Sequence, residues 1–436
     1  MKNADEIKKL ICDAIDNNAE KIIAIAKHIG ENPELGFKEY NTSKVVEQVF
    51  KELGLTYKSN LALTGVKAKL KDTTDSVNIA IIGELDGIPC PEHPFSNKDT
   101  GASHACGHNL QIAALIGAAM GLKLSNVSDD LDGNVTFFAV PAEEFIEVEY
   151  RDQLRSDGKL HFLGGKQELI YKGEFDDIDM SLMFHSQSNT SEPTIAIGET
   201  GNGFIVKKVQ YIGKAAHAAQ APDEGINALN AAMMGIMGIN ALRETFRDDE
   251  HIRVHPIITK GGTTVNSVPD DVRLETYVRG KTVEAIEKTD LKVERALKAG
   301  AYAIGADIKI HTIPGYLPIK CSKEFNDLLL YNAKKFEPEV KVIKAEHFDA
   351  SSDFGDICHL MPAVHPFIGG VSGSLHTKEF KVEDYYAACI LPAKFLVTSI
   401  VDLLIDNADK AKGIISSYKP DFTKKEYIKV MDKYFS

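Results

Sequence analysis

Three short apolar runs, Ile79 to Ile82, Val135 to Val140 and Ser181 to Phe184, each end in a potential ligand or acid. Glu84 and Asp86 follow the first, Glu143 and Glu144 the second, and His185 the third. Continuous apolar runs of this length suit strands buried on both faces of a parallel sheet. In such a sheet the C-terminal strand ends share one edge, so groups distant in sequence converge there. One such acid would mean little, but the repetition predicts an α/β chain with its chemistry on that edge. Between the first two runs lies Ala102-Ser103-His104-Ala105-Cys106-Gly107-His108-Asn109, followed by a small-residue stretch, Leu110 to Leu122, that reads as a helix. A soft thiolate at Cys106 and a borderline imidazole at His108, with Gly107 allowing a tight turn, suit capture of a zinc-like divalent ion.

At 436 residues the chain exceeds the size of a single core, so about two domains are expected. The first domain is read as discontinuous, with residues 1–200 and 316–436 flanking an insert at 201–315. Residues 4 to 29 carry a helical spacing of apolar positions and predict one long opening helix, broken near Asn17. The insert runs strand (Phe204 to Ile212), helix (Ile226 to Leu242), strands (Arg253 to Thr259, Val272 to Arg279), helix (Val283 to Ala303), strand (Asp307 to Ile313). That β-α-β-β-α-β order is that of a ferredoxin-like α+β sandwich. From Leu317 the α/β rhythm resumes, with a helix near Glu324 to Phe336, a strand at Ala363 to Ile368 and a long helix from Val382 to Asp406. A lysine-rich, helix-compatible extension, 407–436, closes the chain.

Apolar content of 44% and charged content of 26% describe an ordinary globular composition. A net charge of -13 argues against a nucleic-acid surface, which needs concentrated lysine and arginine. The N-terminus lacks an apolar signal core, and the longest nearly apolar run, Ile112 to Leu122, is too short to span a bilayer, so no membrane partner and a cytoplasmic location are expected. Six scattered cysteines, at positions 12, 90, 106, 321, 358 and 389, fit reduced thiols better than a disulfide framework.

His104-Ala105-Cys106-Gly107-His108, Pro141-Ala142-Glu143-Glu144, His185 and Leu375-His376-Thr377-Lys378-Glu379-Phe380 together supply a thiolate, several imidazoles and paired carboxylates. Adjacent glutamates can divide the work: if Glu144 binds metal, Glu143 is left to act as general base on a bound water. A lone strand-end histidine such as His185 is more often structural than a ligand, and only the conjunction reverses that. Two other classes compete, a thiol hydrolase using Cys106 as nucleophile and a binding protein without catalysis. The cramped Ala-Cys-Gly-His setting and the acidic pair favour a ligand over a nucleophile. Cys358-His359 looks like another metal pair, but adjacent residues diverge on a helix. His365, His347, His251, His255 and His311 are assigned no role.

These motifs, with Asn32-Pro33-Glu34-Leu35-Gly36-Phe37, Gly213-Lys214-Ala215-Ala216-His217, Val265-Asn266-Ser267-Val268-Pro269-Asp270 and Ser352-Asp353-Phe354, resemble the dinuclear amidohydrolases of metallopeptidase family twenty, in matching order from about residue 5 to 400. The resemblance is greatest to its cysteine-bearing branch. It implies a zinc-peptidase-like catalytic domain with a mixed, largely parallel sheet, holding two divalent ions (zinc or manganese, with cobalt or nickel as alternatives). It implies Cys106, His108, Glu144, His185 and His376 as ligands, Glu143 as base and acid, and Asp86 orienting the site from behind. It further implies that the insert is a lid and homodimerisation domain, with His217 of the partner subunit reaching the scissile carbonyl and Asn266 and Arg279 holding the substrate's carboxylate. The implied substrate is a small amide: an N-acyl amino acid, acyl-dipeptide, aryl-glutamate or short peptide. Hinges are expected near 198–203 and 314–318. Asn109 departs from the His-Asp of much of that branch, and is expected to cap the following helix. The charged, aromatic segment Phe145 to Phe162 replaces a short turn, and either lines the cleft or is a surface excursion.

Overall fold

The computed structural model describes residues 2–73, 77–198, 200–336 and 339–435. The chain forms two compact units, the first from residues 1–199, 320–347 and 356–424, the second from 200–319, 348–355 and 425–436. Glu199, in the first expected hinge, and Ser436, at the end of the tail, lie outside the described residues.

In the first unit, helix α1 (Ala4–Asp16) starts at a capping box in which Asn3 and Glu6 satisfy each other's backbone N–H groups at 3.0 Å. Its Ile7, Ile11 and Ile15 form a buried stripe. The helix stops at Asn17-Asn18, and α2 (Ala19–Glu31) restarts with Ile22, Ala26 and Ile29 inward, followed by α3 (Tyr40–Glu52). The opening helix is therefore broken near Asn17, as expected, because asparagine side chains compete for helix backbone groups; Asn18 donates to Ala14 O at 2.8 Å.

The main sheet comprises β1 (Thr56–Leu61), β2 (Gly65–Lys69), β3 (Asn78–Glu84), β4 (Asn134–Val140), β5 (Met180–Leu182) and a late strand, Ala363–Val364. Their order is β1-β2-β4-β3-β5 followed by the late strand. From β4 onward the pairings are parallel, and those of β1 with β2 and β2 with β4 are antiparallel. The fold is thus α/β with a mixed sheet, and β3 and β4 are buried at every position. Helix α4 (His108–Leu124) is buried from His108 to Leu122, which is why its sequence is apolar on all sides.

Two expected strands each divide. After β5 the chain leaves the main sheet, and His185–Ser186 pairs with Phe367–Ile368 in a second sheet. Ala363–Val364 and Phe367–Ile368 are likewise separated at His365-Pro366, where proline offers no N–H to a ladder. The longest apolar segment is not Ile112 to Leu122 but Tyr386–Leu404, long and apolar enough to cross a membrane by length and composition. Ala387 to Leu404 are all buried in the protein, the pattern of a core helix.

The second unit contains β6 (Gly203–Ile212), α5 (Ala228–Ala241), β7 (Arg253–Val254), β8 (Ile257–Lys260), β9 (Asp271–Gly280), α6 (Val283–Ile304) and β10 (Asp307–Pro314). The antiparallel sheet has the order β7-β9-β6-β10, with β8 also on β9. Two segments outside 201–315 join it. Asn202 N donates to Phe348 O and Ala350 O at 2.9 and 3.1 Å, and Tyr434 donates to Glu287 on α6 at 3.0 Å. Such pairings are set by long-range contact and have no local sequence signature.

Candidate active site

The parallel strands β3 and β4 deliver Glu84, Asp86, Glu143 and Glu144 to one edge, and α4 begins there with His108. Gly107 takes φ +82°, and a Cβ on it would overlap Ser186 Oγ, so the loop needs glycine at this position. Cys106 Sγ lies 3.3 Å from His185 Nε2 and 3.2 Å from His376 Nε2. His376 Nε2 is 2.9 Å from Glu144 Oε1, and His108 Nε2 is 3.9 Å from Glu143 Oε2. Cys106 therefore belongs to two donor groups, one with His108 and His185, the other with Glu144 and His376. All five expected ligands meet in one ring, with Glu143 beside it.

The imidazoles are oriented from behind. His108 Nδ1 donates to Asp86 O at 2.8 Å, and His185 Nδ1 to Ser186 O at 2.8 Å, leaving each Nε2 facing the ring. Asp86 Oδ2 accepts Glu144 N at 3.0 Å, so one aspartate positions both a histidine and a glutamate. His376, with φ 63°, is the exposed member: 46% of its side chain is accessible, which marks the open side.

Burial and Glu144 push the Cys106 thiol up, but His185, His376 and His108 outweigh them and bring its pKa down to about 6. Burial opposes the charged forms of His108 and His376, yet Glu84 and Cys106 raise the first, and Glu144 and Cys106 the second. Burial raises Glu144, but His376 and His108 draw it down to about 2. A thiolate, three imidazoles and a carboxylate around one point are a donor set that suits divalent transition-type ions.

Lys166, Gln111, Glu39 and Arg151 support the site and had no signal in the sequence. Lys166 and Glu84, both fully buried, pair at 2.6 Å, and Gln111 donates to Glu84 Oε2 at 2.8 Å, which lies 3.0 Å from His108 Nε2. Burial raises Glu84, but Lys166 and His108 hold it at about 2. Removing one partner of a buried pair strands the other charge, so Lys166→Met should cost about 3–5 kcal/mol in urea unfolding of the metal-free protein.

Ala142, at φ 53°, is a left-handed non-glycine residue immediately before the paired glutamates. Glu39 accepts its N–H at 2.8 Å and Thr64 Oγ1 at 2.6 Å; burial first, then Asp86, raises Glu39 to about 7. Arg151, from helix Val148–Ser156, is fully buried and donates to Glu144 O and to Leu163 O, the latter at 2.9 Å. The segment Phe145 to Phe162 is exposed over 156–159, but its buried arginine pins the loop that carries the glutamates. Arg151→Ala strips Leu163 O of its arginine donor and leaves Glu144 O with Ile146 N alone, and a loss of about 3 kcal/mol is expected in the same unfolding assay.

Asn109 does not cap α4, whose N-cap is Gly107; it turns away and donates to Ala26 O on α2 at 2.9 Å. His365, given no role from sequence, is buried with its ring centroid 6.0 Å from that of His185, and burial with His185 nearby lowers it to about 3. His359 pairs with Asp421 at 2.7 Å and is structural.

In the second unit, His217 and Asn266 lie side by side: Ala218 N bonds Asn266 O at 3.0 Å, and Gly213 N bonds Asp270 O at 2.8 Å, extending the ladder past β9. His217 Nδ1 accepts from Gln220 N at 3.0 Å, leaving Nε2–H as an exposed donor. Arg279 sits near the opposite end of β9, on the order of 25 Å away at about 3.4 Å per residue. It donates to Ser351 at 2.8 Å and lies over Phe204 and Tyr277. Asn266 and Arg279 of one chain are therefore not together.

Comparison with known proteins identifies the family. The profile of peptidase family M20/M25/M40 matches residues 80–398. The mouse (Mus musculus) Xaa-Arg dipeptidase is 28% identical over 86% of this chain and 82% of its own. The N-acetyl-L-cysteine deacetylase of Bacillus subtilis is 27% identical over 90% of each. A solved Bacillus subtilis structure, described as a dinuclear metal binding peptidase of the M20 family, superposes with a TM-score of 0.67 at 23% identity, covering 88% of this chain and 98% of that one. The chain belongs to peptidase family M20/M25/M40 and is a hydrolase acting on amide bonds.

Proposed function

We infer that this chain cleaves the amide bond of an N-acyl amino acid, acyl-dipeptide or aryl-glutamate with two divalent ions, zinc or manganese, held by Cys106, His108, Glu144, His185 and His376. The observation that carries the reading is the sharing of Cys106 between two donor groups. When bound, the metal supplies Lewis acidity and lowers the pKa of a water in the site. Glu143, buried beside the ring but with its neighbour Glu144 turned to His376, accepts that water's proton and returns it to the leaving amine. Asp86 holds His108 and Glu144 in place while this happens. Exposed on its loop, His217 is suited to donate Nε2–H to the developing oxyanion.

The second unit is proposed as a ferredoxin-like lid and dimerisation domain. Exposed Met233, Met234 and Met237 on α5, with Ile257 and Ile258 on β8, support an apolar subunit interface. One small substrate cannot touch both ends of β9. The separation therefore supports a site that draws His217 and Asn266 from the partner subunit and Arg279 from its own. Cleavage of short peptides is the second reading, favoured by the similarity to the Xaa-Arg dipeptidase.

The test is a hydrolysis screen over N-acetyl amino acids, dipeptides and aminobenzoyl-glutamate, with metals added back after chelation. Activity that survives complete metal removal would overturn the metal reading. Because the metal-free ring raises the proton affinity of His108, His185 and His376, ion binding displaces protons. Lowering the pH from about 8 to about 6 favours the protonated ligands, so apparent metal affinity should fall, and loading should release protons to an indicator dye.

A further inference from the structure

A cavity of about 320 Å³, near the lower end of the range for small-molecule sites, lies on the sheet of the second unit. All of its lining residues belong to that unit. Strand β9 alternates in burial: Val272, Leu274 and Val278 join the core cluster with residues of α5 and α6, so Glu275, Tyr277 and Arg279 stand on the opposite face. Arg253 on β7 and His255 just after it line the same cavity. Both are exposed, Arg253 with 56% of its side chain accessible, so a ligand can reach them from solvent.

The two arginines define what would fit. Arg253 and Arg279 are direct partners across the antiparallel ladder. Like charges directly opposite destabilise a sheet, and residues so placed carry their Cβ atoms about 4.5–5.5 Å apart. Arg279 donates to the neutral hydroxyl of Ser351 at 2.8 Å and lies over the rings of Phe204 and Tyr277, 5.0 and 5.2 Å from their centroids. Arg253 meets Asp349 at 3.2 Å, but that pair is exposed on both sides and so a weak tie. Glu275 stands toward the far end of the cavity, four residues along β9 from Arg279 and about 13 Å away by strand rise, which leaves the guanidinium end cationic. A guanidinium presents a planar fork that matches a carboxylate. Two forks at one ladder position suit two carboxylates separated by a few carbons. Ile257 and the Tyr277 ring line the same cavity, which favours a carbon chain over inorganic phosphate.

We propose that this cavity is a dicarboxylate subsite in which Arg279 binds one carboxylate and Arg253, with His255 beside it, binds the second. The proposal rests on the amide-cleaving reading and narrows it. The amino acid released from the amide carries an acidic side chain, and Arg253 is the residue that selects it.

The experiment titrates the full-length, metal-loaded protein by calorimetry with glutarate and with pentanoate, the same chain short of one carboxylate. Neither contains an amide. Glutarate is expected to saturate one site per chain and to bind at least about tenfold more tightly than pentanoate, as a charge-assisted contact warrants. Arg253→Gln, a change at an exposed residue, should weaken glutarate about tenfold and leave pentanoate unchanged. Glutarate that does not saturate, that binds no better than pentanoate or inorganic phosphate, or that Arg253→Gln leaves unaffected overturns the proposal. So does binding abolished by a chelator, which would place the carboxylates on the metal ring. A second arm compares kcat/KM for N-acetyl-L-glutamate and N-acetyl-L-glutamine, whose ratio should fall about tenfold in Arg253→Gln; an unchanged ratio removes Arg253 as the selecting residue. A protein that cleaves no amide at all loses the amide-cleaving reading, while glutarate binding still decides the subsite.

Discussion

Replacing Glu143 by glutamine should leave both ions bound and lower amide turnover by about a thousandfold, within the range a positioned general base contributes. Glu143 is buried at 6% exposure beside the ring, and its Oε2 is 3.9 Å from His108 Nε2, near enough to serve a water held there. It is the adjacent Glu144 that reaches His376 and shares a donor group with Cys106. Glutamine keeps the shape and loses the proton-accepting charge, so metal per chain and turnover should separate. Elemental analysis with kcat on the best amide checks this. A variant with ordinary turnover, or one that loses metal in parallel, would give Glu143 a different role.

The second large effect is expected at Cys106. Because its sulfur lies in both donor groups, Cys106→Ser should weaken both ions by at least about a hundredfold, more than loss of an outer supporting residue costs. A serine hydroxyl is not ionised near neutral pH, whereas the Cys106 thiol is brought down to about 6. Activity should therefore vanish at limiting metal and return in part when metal is in excess. A nucleophilic cysteine would behave differently: metal content would survive and added metal would restore nothing. Loss of only one ion would show that the sulfur does not bridge.

Much of the site was legible because the ligands fall at punctuation. Glu84, Glu143 and His185 follow apolar runs, and Cys106 and His108 precede a helix start, so period and composition alone placed them on one edge. What held them was not legible. Lys166, Arg151 and Glu39 read as ordinary surface charges in sequence, yet each is buried at 0% exposure and pins a catalytic segment. Their burial is specified by partners far along the chain: Lys166 pairs with Glu84, and Glu39 binds Ala142 N. Asn109 is a similar case, since a good capping residue by type spends its side chain on α2 instead.

The sequence by itself determined the α/β class, the strand-end placement of the ligands and the chemistry they can perform, because hydrophobic period and donor type are local properties. Only the tertiary structure decided that Cys106 is common to two donor groups, that Asn266 and Arg279 stand at opposite ends of one strand region, and that buried charges brace the glutamate loop. Those are facts of distance between residues remote in the chain. They follow from how strands pair and which charges burial forces together, which no local pattern encodes.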